Sequence, residues 1–145
     1  MSYETTDPKG AQAILSGDEG WRFLDVRTEE EFVRGHVPGA YNIPVMLRDP
    51  MTGMTPNPRF VDVVLGAFEK TDRLVLGCAA GMRSARACEM LYEAGFETLV
   101  NMDGGFSGAP DGLGGIREPG WEACGLPCET ECSPERQYGA LTATE

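Results

Sequence analysis

The feature that most limits what this chain can fold into is the apolar run Leu74-Val75-Leu76, which leads through Gly77 into Cys78-Ala79-Ala80-Gly81-Met82-Arg83 and then Ser84-Ala85-Arg86-Ala87. An apolar run, a loop of small residues and a helix start in direct succession describe a buried strand that hands the chain to a helix at its carboxyl end. A cysteine at that junction meets the positive end of the following helix and the N–H groups of a loop that can curl around its sulfur. Both favour S⁻ over SH, the form of the thiol that acts as a nucleophile. Ala79, Ala80 and Gly81 are small enough for the backbone itself to wall the pocket. Arg83 adds a fixed positive charge at the rim.

The rest of the chain alternates in the same way. Asp7 caps a helix that starts at Pro8 and runs to about Ser16, before Gly17. Trp21 to Val26 reads as a buried strand. Thr28 and Glu31 form a capping box, so residues 28–34 read as a short helix closed by Gly35. A short strand follows at residues 40–43. Asn57 and Pro58 open a helix through Lys70, with Phe60, Val61, Val64, Leu65 and Phe68 at helical spacing. Arg73 to Gly77 is the strand that delivers Cys78, residues 83–94 are a helix ended by Gly95, and residues 98–101 are the final strand. Strands alternating with helices give an α/β fold: a central parallel β-sheet covered by helices on both faces, with the reactive loop at its carboxyl edge.

With 145 residues the chain suits one domain with one core. A net charge of −11 opposes binding to phosphate backbones and to anionic lipid, so neither nucleic acid nor membrane is an expected partner. Residues 1–15 lack a basic stretch followed by an apolar core, and no apolar run reaches the ~18 residues of a membrane span. The expected location is the cytoplasm.

Cys78-Ala79-Ala80-Gly81-Met82-Arg83-Ser84 resembles the Cys-x-x-Gly-x-Arg-Ser loop of single-domain rhodanese-like sulfurtransferases. Leu24-Asp25-Val26-Arg27 through Gly35-His36-Val37-Pro38-Gly39-Ala40-Tyr41-Asn42-Ile43-Pro44 resembles that family's other recurring motif. Gly104-Gly105, with Trp121 and Gly125-Leu126-Pro127, makes a third match. The resemblance implies a rhodanese-like domain over residues 1–130, followed by an acidic, flexible tail at 131–145. It implies a persulfide on Cys78, charged by a small-molecule sulfur donor (thiosulfate or a persulfide). A thiol, cyanide, or a thioredoxin-like or other protein acceptor would discharge it, with no metal and no organic cofactor.

Two alternatives share the fold. Phosphatases and arsenate reductases carry a longer Cys-x5-Arg loop, suited to a tetrahedral oxyanion, whereas four residues separate Cys78 from Arg83 here. A noncatalytic binding module would have no chemical need of Cys78 with Arg83.

Other residues have open roles. Arg83 either reads the donor's charge or pins the loop through carbonyls or a carboxylate. Asp25 and Arg27 read as a structural ion pair bracing the loop from behind. His36 reads as a partner of turn backbone groups, and Trp121 as core. Residues 45–56 read as a long connection whose Arg48 either meets an anionic donor or is a solvated surface residue. Residues 106–120, rich in Gly and Pro, form a second long connection that lies where a lid over the pocket would lie. Cys88 reads as a packing residue, as do Cys124 and Cys128. A zinc site is disfavoured, since a tetrahedral set needs two tight ligand pairs and His36 is remote. Cys132 is either a tail residue or a second thiol that accepts sulfur or resolves oxidised Cys78.

Overall fold

The computed structural model describes residues 3–143. An edge strand β1 (Glu4–Thr6) precedes α1 (Pro8–Leu15), whose N-terminus is capped by Asp7 Oδ1 accepting from the Gly10 N–H at 2.7 Å. Then come β2 (Arg22–Asp25), α2 (Glu29–Arg34), β3 (Tyr41–Asn42), β4 (Met46–Asp49), β5 (Gly53–Pro56) and α3 (Phe60–Ala67). They are followed by β6 (Arg73–Gly77), α4 (Met82–Glu93), β7 (Thr98–Met102), β8 (Ala109–Pro110), β9 (Ile116–Glu118), a 3-10 turn (Pro134–Arg136) and α5 (Tyr138–Ala143).

Five strands form one sheet in the order β1-β7-β6-β2-β3, and every pairing is parallel. The strands that carry the site are central, so they must be apolar on both faces, and the two-residue period sorts their side chains. Leu24, Leu74, Leu76 and Leu99 face α3 and α4, packing with Phe60, Val63, Val64, Cys88 and Leu91. Phe23, Val75, Val100 and Met102 face the other way, onto Ala11 of α1, Phe32 of α2 and Trp121. Each fully buried Leu or Phe side chain contributes roughly 1.5–3 kcal/mol by leaving water, which fixes β6 in register and with it the position of Cys78.

The long α3 reading is too generous at both ends. Asn57 Oδ1 accepts from the Arg59 N–H at 3.1 Å in a turn ahead of the helix, and its amide nitrogen donates to Pro44 O and Tyr138 Oη. At the other end Phe68 is extended (φ −135°, ψ 152°), which sends its ring into the core against Tyr41.

Two further expectations are corrected. Residues 45–56 are not a bare connection but the hairpin β4–β5, whose turn is closed by Asp49 Oδ1 accepting from Met51 and by Gly53 at φ +89°. Residues 106–120 hold the hairpin β8–β9, so β7 is not the final strand; Asp111 Oδ1 accepts from both Leu113 and Gly115 at its tip. The stretch at 131–145, expected to be a flexible tail, carries the 3-10 turn and α5 as far as it is described: Arg136 donates to Ala40 O at 2.8 Å and Leu141 joins the α3–α4 core at 6% exposure. Its last two residues lie outside the described residues. β1 went unread because three polar or half-buried residues carry no alternation; it is held by pairing with β7.

Candidate active site

β6 ends at Gly77, where an added Cβ would lie 2.5 Å from the Phe23 ring, and Cys78 follows with 2% exposure. The chain then turns back around the sulfur. The N–H groups of Gly81 and Ser84 point at Sγ from 3.1 and 3.3 Å, and Ser84 Oγ lies 3.5 Å away. Gly81 makes the turn possible: it caps α4 at φ +111°, a left-handed conformation that a side chain would strain. Ala79 and Ala80 are half-buried, and as methyl groups they neither donate nor accept a hydrogen bond.

The loop is held from behind by the segment after β7. Phe106 N–H donates to Cys78 O and Ser107 N–H to Ala79 O, both at 2.8 Å. So close an approach requires Gly105, where a Cβ would fall 2.3 Å from Cys78 O in a backbone already at φ +58°. Ser84 Oγ also donates to Asn101 Oδ1, and Asn101 Nδ2 donates to Gly81 O at 3.4 Å, so β7 braces the cap of α4.

A buried cysteine at a strand–helix junction, ringed by backbone N–H groups and followed by arginine and serine, is the geometry that the loop resemblance implies. The family model for the rhodanese-like domain matches residues 7–109. The chain belongs to the rhodanese-like domain family. Rhodanese-like domain-containing protein 17 of Arabidopsis thaliana is 45% identical over 104 residues, covering 70% of this chain and 65% of that protein, so the chain spans just under two thirds of its length. Thiosulfate sulfurtransferase 16, chloroplastic, of the same plant is 39% identical over 117 residues (78% of this chain, 97% of the relative). Protein HIGH ARSENIC CONTENT 1, mitochondrial, is 41% identical over 117 residues (80% and 68%). The crystal structure of Rv0390 from M. tuberculosis superposes with a TM-score of 0.73 at 27% identity, covering 90% of this chain and all of that one.

Within this rhodanese-like domain, Arg83 is committed to a carboxylate. Its Nη1 and Nη2 donate to Glu31 Oε1 and Oε2 at 2.8 and 3.0 Å, across the gap between α4 and α2. Burial alone would raise the Glu31 carboxyl; the Arg83 hydrogen bonds, the Thr28 N–H and the Arg83 charge outweigh it and bring the pKa down to about 2. Glu31 thereby serves twice, since the same side chain completes the capping box with Thr28. Asp25 and Arg27 form the expected ion pair, at 2.7 Å and almost fully buried. Arg27 also donates to Gly35 O and lies 4.5 Å over the ring of Phe106, the residue that holds Cys78 O.

Arg48 sits on β4 with its side chain 63% exposed and Nε 3.3 Å from Glu30 of α2.

His36 is fully buried, stacked on Phe32, with Nδ1 2.8 Å from Phe32 O and backbone bonds in both directions to Glu129. Its Nε2 is 3.3 Å from Glu129 Oε1, but at an angle that makes no hydrogen bond. Trp121 is core, donating through Nε1 to Pro127 O.

Cys88 is core too, and burial, with the nearby Glu89 and Cys78, pushes its thiol up to about 12. Cys124 is half-buried, and Cys128 is exposed, correcting the reading of that residue as core. Cys132 packs partly against the Phe23–Trp121 cluster. The β8–β9 hairpin stands beside the loop, tied down by Arg117 to Asp103 at 2.8 and 2.9 Å. Ala109, Pro110 and Arg117 share a cavity of about 340 Å³ with Ala80, Gly81 and Met82.

Sequence reasoning missed Asn101 and, although it allowed Arg83 a carboxylate partner, did not identify that partner as Glu31. Glu31 was visible only as a helix cap, and nothing local in the sequence says that α2 and α4 meet.

Proposed function

We propose that this protein is a sulfurtransferase that carries a sulfane sulfur on Cys78. The Cys78 thiolate attacks the outer sulfur of a donor such as thiosulfate. The donor's S–S bond breaks, its electron pair leaves on sulfite, and a persulfide remains on Sγ. An acceptor nucleophile then takes the outer sulfur, and the pair of electrons in the Cys78 S–S bond returns to Sγ. The observation that carries this reading is the pair of N–H groups, from Gly81 and Ser84, aimed at one nearly buried sulfur, with the Ser84 hydroxyl beside them. Such donors stabilise negative charge on thiolate and persulfide without rearranging during turnover. The similarity to thiosulfate sulfurtransferase 16 supports the same chemistry.

A second reading is oxyanion chemistry at the same cysteine, favoured by the 41% identity to the protein named HIGH ARSENIC CONTENT 1. The four-residue spacing between Cys78 and Arg83 argues against it, and so does the Glu31 carboxylate, which pairs with the guanidinium that an oxyanion would need.

One measurement separates the readings. After incubation with thiosulfate, or with glutathione persulfide, and removal of small molecules, intact mass without reductant should rise by one sulfur atom on the peptide of Cys78. Cyanide should remove it. No loading, together with arsenate reduction or aryl phosphate hydrolysis dependent on Cys78, would establish the second reading; none of these activities would leave a binding module.

A further inference from the structure

Next to the loop, between α4 and the β4–β5 hairpin, lies a cavity of about 300 Å³. Met46 and Pro56 form its hairpin wall, and Met82, Arg83, Arg86 and Met90 form the helix wall. Positions 82, 86 and 90 fall four residues apart, so α4 lines the cavity with one stripe. At 1.5 Å per residue the stripe is about 12 Å long, with Arg86 about 6 Å along it from Met82. One end opens at Arg83, the residue before Ser84, whose N–H points at the Cys78 sulfur from 3.3 Å. Unlike Arg83, the Arg86 guanidinium has no ion pair or hydrogen bond among the described residues. Methylene-lined walls, one uncommitted cation and an end at the reactive loop suit a particular molecule: a short thiol whose carbon chain ends in a carboxylate. Methionine adapts to such chains because its side chain is unbranched and polarizable.

We infer that this cavity seats the organic part of the sulfur acceptor, and that Arg86 selects acceptors bearing a carboxylate. The inference rests on the sulfurtransferase reading. In the discharge step the acceptor thiolate attacks the outer sulfur of the Cys78 persulfide. A new S–S bond forms on the acceptor, the Cys78 S–S bond breaks, and its electron pair stays on Sγ. The acceptor's proton goes to solvent, and the product is the acceptor persulfide. Arg86 holds the far carboxylate through this exchange, while Met82 covers the methylenes between and Met90 closes the cavity beyond Arg86.

The whole-molecule charge makes the inference testable. A protein at net −11 repels anions, so a preference for an anionic thiol has to come from a local cation. Protein preloaded with sulfur on Cys78 is mixed with 3-mercaptopropionate or with its methyl ester at matched thiolate concentration, and discharge is followed by intact mass. The carboxylate thiol should discharge wild-type protein roughly tenfold faster at sub-saturating concentration. Arg86→Gln should bring that ratio close to one, and Arg86→Lys should keep part of it. Lys70→Gln, which removes a charge in the turn before β6, should leave the ratio as in wild type. Equal rates for the two thiols in wild type, or an unchanged ratio in Arg86→Gln, would overturn the inference. Failure to load Cys78 at all would instead defeat the sulfurtransferase reading, so the two failures are distinct.

Discussion

Arg83 at the start of α4 and Glu31 in the first turn of α2 are joined by two parallel hydrogen bonds of 2.8 and 3.0 Å. The arginine of the reactive loop is thus paired with the protein's own acid. The pair ties the loop to α2. Arg83→Lys keeps the charge and loses the fork, so it should slow persulfide formation by similar factors for thiosulfate and for an uncharged trisulfide donor. A KM for thiosulfate raised far more than that for the trisulfide would show that Arg83 reads the donor instead.

The same pair gives a pH signature. The folded Glu31 pKa of about 2 lies below the ordinary carboxylate value of about 4.3, so its stabilisation is present above pH ~4 and is lost as pH falls toward 2. Glu31→Gln keeps a capping acceptor for Thr28 but not the ion pair. With both side chains partly solvated, the substitution should cost about 1 kcal/mol near neutral pH, and the difference from wild type should shrink between pH 4 and 2 in urea titrations. A constant difference across that range would mean that Glu31 acts only as a cap.

Among the cysteines, Cys78→Ser should abolish sulfur loading. Cys88→Ser should load normally but lose on the order of 1–3 kcal/mol, because a hydroxyl replaces a thiol in a site with 0% exposure. Native protein treated with iodoacetamide at pH 7 should remain unmodified at Cys88, whose thiol is pushed up to about 12. Cys128→Ser, at an exposed site, should change stability by less than about 0.5 kcal/mol. Rapid native labelling of Cys88 would contradict the packing described for α4.

Gly105→Ala tests the clamp behind the loop. Its Cβ would have to displace the carbonyl of Cys78, and the residue would also be forced into a left-handed backbone, together worth about 3 kcal/mol or more. We expect a lower melting temperature and, in whatever fraction folds, poor sulfur loading. Gly112→Ala, in the open β8–β9 turn with nothing within 4 Å, carries the backbone penalty alone and should load normally. Normal loading of Gly105→Ala at wild-type stability would show that the clamp is dispensable.

The parts of the molecule that sequence made legible are those governed by local chemistry. Asp7-Pro8, the Thr28–Glu31 box and the glycine after α4 have structural meanings within four residues of themselves, and each forms as read. Leu74 to Leu76 could belong only to a buried strand, which located Cys78. What was hidden depends on partners distant in sequence. β1 exists through β7, nearly a hundred residues away; Asn101 matters through Ser84; Glu31 matters through Arg83. The two hairpins were hidden by their short, uneven strands, and α5 by an acidic context that masks the buried Leu141.

Ala79 and Ala80 have a further consequence through the way their loop is held. The loop is clamped from behind through the carbonyls of Cys78, Ala79 and Gly81 and tied to α2 through the Arg83 side chain, so the two alanine methyl groups make none of its hydrogen bonds. Side-chain identity at these two positions is therefore free of the hydrogen bonding that shapes the loop. On the sulfurtransferase reading proposed above, exchanging them for basic, hydroxyl or acidic groups is the expected route by which a lineage, or a protein engineer, would retune which sulfur compound is admitted while the scaffold around Cys78 stays the same.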